Sequence, residues 1–177
     1  MNSKTVLLRT VSVILILFLS IFCCSCVDNK PISEKELIRL HIRADSNDTA
    51  AQSVKLKVRD DIVQYLAQKN KDVLSFEEAY LILQDELDAL QAMANSRLAI
   101  EGQSYGATAR LTVEYFPTRK YGDVVLESGY YNALIIELGS GKGDNWWCVV
   151  YPPLCYLEAT DDFRYKSKIM ELIEKHF

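Results

Sequence analysis

Three groups of residues in this chain carry types and spacings that could do chemistry. The stretch GSGKGDNWWCVVYPPLC, Gly139 to Cys155, has glycines and a lysine in the manner of a phosphate loop. It also has two cysteines that could clip a metal or close a disulfide, and two adjacent tryptophans. Cys23 and Cys26 form a literal C-x-x-C, the spacing of thiol redox motifs. His41, one of two histidines, stands four residues before Asp45 and suggests an acid-base pair.

Most of this chemistry fails on spacing. A phosphate loop needs G-x-x-x-x-G-K-[ST] between a strand and a helix. Here Lys142 is followed by Gly143 and then by aromatic, strand-like sequence. The segment reads instead as a glycine-rich turn between strands, with glycines free to take positive φ. Cys148 and Cys155 have no partners at metal-ligand spacing, and neither H-E-x-x-H nor G-x-S-x-G occurs, so no metal, cofactor or catalytic set is expected. On a strand His41 and Asp45 would sit about 13 Å apart, too far to touch. His41, between Arg39 and Arg43, is therefore expected to be an exposed or partly buried structural histidine. The acid pairs Glu77-Glu78 and Asp85-Glu86 read as solvated helix faces. Two carboxylates can still meet in a fold, which keeps an exported cell-wall hydrolase as the rival reading.

Cys148 and Cys155 could pair with each other. Across a straight strand they would lie more than roughly 20 Å apart, whereas a disulfide needs Cα atoms within roughly 7 Å. Pro152-Pro153 is where the chain could turn back, and the closed loop would contribute about 2–3 kcal/mol in the chain-entropy model. Two buried free thiols are the alternative. Side chains alternate along a strand, so Trp146 and Trp147 cannot share a face. One is expected to plug the core and the other to lie at an edge or surface, where an aromatic can anchor a partner. A structural role for both is the other reading.

The elements that must position these residues lie beyond residue 27. Lys4 and Arg9 precede an uncharged run from Thr10 to Val27, the pattern of an export signal, either cleaved or kept as a membrane anchor. Its end holds Cys23, Cys24 and Cys26, and this discounts the redox reading. Cys26 after Ser25 is a candidate lipidation site, which would make the chain a passive membrane-anchored lipoprotein. The chain has 177 residues, with 49% apolar and 25% charged, a composition suited to one globular domain. The net charge of −4 becomes −6 without Lys4 and Arg9, so no nucleic-acid partner is expected.

Residues 28–36 read as a linker and residues 37–177 as a single domain. In IRLHIRAD, Ile38, Leu40, Ile42 and Ala44 alternate with Arg39, His41, Arg43 and Asp45, which predicts a half-buried strand. Thr49 and Gln52 fit a capping box for a helix from about Ala50 to Gln68, and Asn47-Asp48-Thr49 at its entry is formally a glycosylation sequon. Ser75 and Glu78 fit a second box, for one long helix to about Ile100. Strands are expected over ATARLTVEYF, a short run in YGDVVL, Tyr131 to Leu138 and NWWCVVY. A C-terminal amphipathic helix turns Phe163, Ile169, Leu172 and Ile173 inward. The expected class is α+β: a small, mostly antiparallel or mixed sheet of about four strands, packed by two long helices in a hairpin plus the C-terminal helix.

Two segments, LIRLHIRADSNDTAAQSVKLKVRDDIVQYL and YNALIIELGSGKGDNWWCVVYPPLC, resemble the stage II sporulation protein R family of endospore-forming bacteria. The likeness runs from about Leu37 to Cys155, with LHI, KLKVRD, GKGDNWWCV and PPLC as its core. Arg43 and Asp45 depart from it, where the family more often carries an aliphatic residue and an asparagine, and the region after Cys155 looks short. The resemblance implies a non-enzymatic protein made in the forespore and exported into the space between the two sporulation membranes. There it would trigger a membrane-bound aspartic protease that cleaves the precursor of sigma-E in the mother cell. The surface expected to engage that protease is Asn145, Trp146, Trp147, Pro152 and Pro153, together with His41 and Asp45 on the polar strand face.

Overall fold

A computed structural model describes residues 36–121 and 124–156. The expected export segment, Cys26, most of the linker and the C-terminal helix lie outside the described residues. The first strand, β1 (Ile38–Arg43), leads through a turn into α1 (Thr49–Lys69). The side chain of Asp48 caps this helix by accepting from the Ala51 N–H at 2.8 Å. The cap is thus one residue earlier than the expected Thr49, because an aspartate at this point offers a carboxylate to the positive helix end. Gln52 reaches back to the Ser46 carbonyl instead, at 2.9 Å.

Ser75 does cap the next helix, accepting from the Glu78 N–H at 3.2 Å. The expected single helix is two, α2 (Phe76–Asp85) and α3 (Leu87–Ile100). Glu86 at the joint has φ −94° and ψ 0°, and its carboxylate accepts from Tyr65 and Lys69 of α1, each at 2.5 Å. Arg97 of α3 donates twice to Asp61 of α1, at 2.6 and 2.8 Å, in a fork-to-carboxylate pair.

The strands β2 (Ala107–Phe116), β5 (Gly129–Leu138) and β6 (Asn145–Tyr151) join β1 in a four-stranded mixed sheet of order β2-β5-β1-β6. β1 runs parallel to β5 and antiparallel to β6. The expected short run is a separate hairpin of β3 (Arg119–Tyr121) and β4 (Val124–Leu126). The fold is α+β, as the order of elements implied. Leu40, Ile42, Leu134, Ile136 and Leu138 share one core with Val58, Ile62 and Leu66 of α1 and Leu90, Ala94 and Leu98 of α3. Burying such a core is the main favourable contribution to folding.

The central position of β1 changes one expectation. A strand with both neighbours in place and cover on both faces is not half-buried. Arg39 and His41, read as a polar face, are 0% and 1% exposed.

Candidate functional site

The sheet face opposite the helices is built from alternating residues of β1, β2, β5 and the start of β6. Register fixes what meets there: His41 stands beside Ile135 and Trp147, Arg43 beside Glu137 and Asn145, and Glu114 beside Tyr131. His41 Nδ1 lies 2.8 Å from Glu114 Oε1. The same carboxylate accepts from Arg43 at 2.6 Å, and Arg43 also donates to Glu137 at 3.1 Å. Arg110 reaches Glu137 at 3.4 Å. Cations and acids therefore alternate across three strands, which makes it tolerable to hold them in a partly desolvated layer.

Aromatic rings close this layer. Trp147 stacks on the His41 ring with centroids 3.7 Å apart and planes 20° apart, and Phe116 meets Trp147 edge-on at 4.9 Å. The Arg119 guanidinium sits 5.6 Å from the Trp147 ring centroid. Arg39 lies deeper, over Phe116 at 4.4 Å and Tyr131 at 4.9 Å, and donates to the Tyr121 hydroxyl at 3.0 Å. Burial holds the His41 pKa below its ordinary 6.5, and the Arg43 charge adds to this. The Glu114 carboxylate and the nearby Asn145 side chain pull the other way and lose. His41 is therefore a neutral ring that donates to Glu114. The pair resembles a proton-relay dyad, but at 1% exposure its ring has no open path to a substrate.

Not all of the expected surface gathers here. His41, Asn145 and Trp147 do come together. Asp45 does not belong to the strand face: it lies beyond β1, where it accepts from the Ser140 backbone at 2.7 Å and from the Ser140 hydroxyl at 2.6 Å. Trp146 is on the opposite face, with Arg59 of α1 5.5 Å from its ring centroid. Both indoles are half-buried against the core, so neither is the expected core plug. Pro152 and Pro153 are buried, and the Tyr151-Pro152 bond is cis. They turn the chain so that Cys148 and Cys155, with Cα atoms 5.7 Å apart, join in a disulfide.

The glycine stretch is a turn interlocked with the segment before α1. Gly139 and Gly141 have φ of 57° and 62°, the left-handed region that glycine enters without penalty. The Gly143 N–H donates to the Ala44 carbonyl at 2.9 Å, and Lys55, buried in α1, donates to the Asp144 carbonyl at 2.9 Å. Glu114, Glu137, Phe116 and Arg119 were not singled out from sequence. A signal existed: three basic groups on one face of β1 need acids, and Glu114 and Glu137 occupy strands. Nothing local says which strands lie alongside.

Among the described residues no three His, Cys, Asp or Glu side chains gather as a metal site, and no helix is long and apolar enough to cross a membrane. A family model described as stage II sporulation protein R matches residues 34–161. A protein of that name from Bacillus subtilis (strain 168) is 36% identical over 135 residues, which is 76% of this chain and 60% of that protein. The chain thus spans 60% of the length of this curated relative. No solved structure matches.

Proposed function

The chain belongs to the stage II sporulation protein R family, and from that premise we propose that its role in sporulation is to signal between compartments by switching on a protease. In this reading it leaves the forespore through its N-terminal segment. In the space between the two sporulation membranes it then engages a membrane-bound aspartic protease that processes the precursor of sigma-E. The domain acts by binding and performs no chemistry of its own.

The observation that supports a binding role is the start of β6. Asn145 is exposed, and Trp146 and Trp147 are half-buried on opposite faces of an edge strand, each beneath an arginine. Large rings held rigid at low entropy cost, with cations beside them, are the usual makings of a binding hot spot. The rest of β6, from Cys148 to Tyr151, is buried and serves to hold this end still. The test is co-expression with the protease and the sigma-E precursor in a non-sporulating host, reading precursor cleavage. Trp146→Ala should leave a folded, exported protein that no longer triggers cleavage. Full cleavage by that variant and by Trp147→Phe would place the contact elsewhere.

A further inference from the structure

The other edge of the sheet is β2, and among the described residues half of it is uncovered. Its pairing with β5 is unbroken from Ala107 to Phe116. The Gly106 carbonyl accepts from Gly139, so even-numbered positions bond inward to β5 and odd-numbered ones face outward. Three of the four outward groups of the first two odd positions bond to side chains of α3. Asn95 exchanges hydrogen bonds with Ala107 at 2.8 and 3.3 Å, and Gln91 accepts from the Ala109 N–H at 3.1 Å. Among the described residues no such cap reaches Leu111, Val113 or Tyr115. Val113 is 60% exposed and Tyr115 53%, and Tyr130, 5.5 Å from Tyr115 between ring centroids, is 70% exposed. Proteins generally blunt such an edge with lysine, proline or a covering element. Here the charged residues of the strand turn to the other face, where Glu114 and Arg110 are held in ion pairs.

We propose that this edge pairs with a second copy of the same chain, β2 against β2 in antiparallel register about a two-fold axis at Val113. The register follows from which groups are free. Centring on Val113 sets the three uncapped positions against each other: Val113 meets the second copy's Val113, and Leu111 meets the second copy's Tyr115, twice. Centring on Leu111 would set Val113 against Ala109, whose N–H is already bonded to Gln91. Centring on Tyr115 would set Val113 against Pro117, which has no N–H to give. The Val113 register makes about six backbone hydrogen bonds. It stacks apolar side chains on one face and places Thr112 opposite the second copy's Glu114, so no like charges meet. The two four-stranded sheets become one. The pairing does not depend on the signalling reading, and His41 and Trp147 take no part in it.

Cysteine cross-linking of the full chain in mild detergent, with Cys23, Cys24 and Cys26 changed to serine, tests the register. Directly opposed residues in such a pair have Cα atoms about 5.5 Å apart, within disulfide reach. Under a mild oxidant Val113→Cys should form a covalent dimer on the order of tenfold more than Thr108→Cys, an exposed control on the same strand. Leu111→Cys and Tyr115→Cys should each fail alone and succeed when both are present in one chain. Equal yields at Val113 and Thr108, no dimer at either, or cross-linking by Leu111→Cys alone would overturn the proposal. Val113 is exposed, so its cysteine variant should fold, and the Leu111–Tyr115 pair reports the same register independently.

Discussion

At the scale of single residues, His41 is the described group whose shift bears on stability in mild acid. Its ring is buried, neutral and bonded to Glu114, and its pKa in the folded state is lowered from 6.5 by desolvation. In the unfolded chain the ring takes a proton near its ordinary value, so below about pH 6.5 the unfolded state binds more protons. The contribution of this residue is complete above about pH 6.5 and is lost as pH falls through the folded pKa. Urea unfolding between about pH 7.5 and 5.5 should show stability falling with acid, and His41→Gln should flatten that slope. An unchanged slope in the variant would mean that His41 is not the titrating group. The sequence showed the alternation that puts Arg39, His41 and Arg43 on one face. It could not show that the face is covered, because the covering groups Glu114, Phe116 and Trp147 come from residues 73 or more positions away.

At the scale of elements, local signals read best where the chain satisfies its own backbone. The Ser75 cap, the glycine turn and the proline bend were all legible for that reason. The Asp48 cap was missed by one residue because aspartate and threonine both cap well. The joint at Glu86 was missed because its partners, Tyr65 and Lys69, belong to another helix. The glycine turn gives a sharp test. A Cβ on Gly143 would run into the Ser46 carbonyl and crowd the Ala44 methyl, and the carbonyl is backbone that cannot rotate aside. Gly143→Ala should cost roughly 1–3 kcal/mol in denaturant unfolding, and a neutral result would show that the two segments are not locked together. The disulfide makes a second prediction: Cys155→Ser should lower stability by about 2–3 kcal/mol, the closure entropy of so short a loop. A variant as stable as the parent would leave the proline bend as the sufficient constraint.

At the scale of the whole molecule, the class of fold was readable and the strand order was not. Alternating runs and helical stripes give an α+β chain, but nothing local distinguishes a central β1 from an edge β1. The arrangement also decides what the functional assay can say. Trp147 is packed on His41, so Trp147→Ala opens a hole above the buried ion-pair layer and confuses folding with binding. Trp146 lies on the other face at the edge strand, so Trp146→Ala is the cleaner probe. We expect its melting profile to stay close to that of the parent while precursor cleavage falls to background. Loss of both together would assign Trp146 to the core.

The place of β1 between β5 and β6 has a consequence in time. Arg43 and its partner Glu137 are 94 positions apart in the chain. At a synthesis rate of roughly 5–20 residues per second, the first strand waits about 5–20 s for its parallel neighbour. It waits longer still for β6, which comes last of the four. Until then its apolar face has no sheet to join, and any chain interrupted before Tyr151 lacks the strand that closes the domain. That same strand carries Trp146 and Trp147. The two rings therefore enter the sheet only after the other three strands have been made.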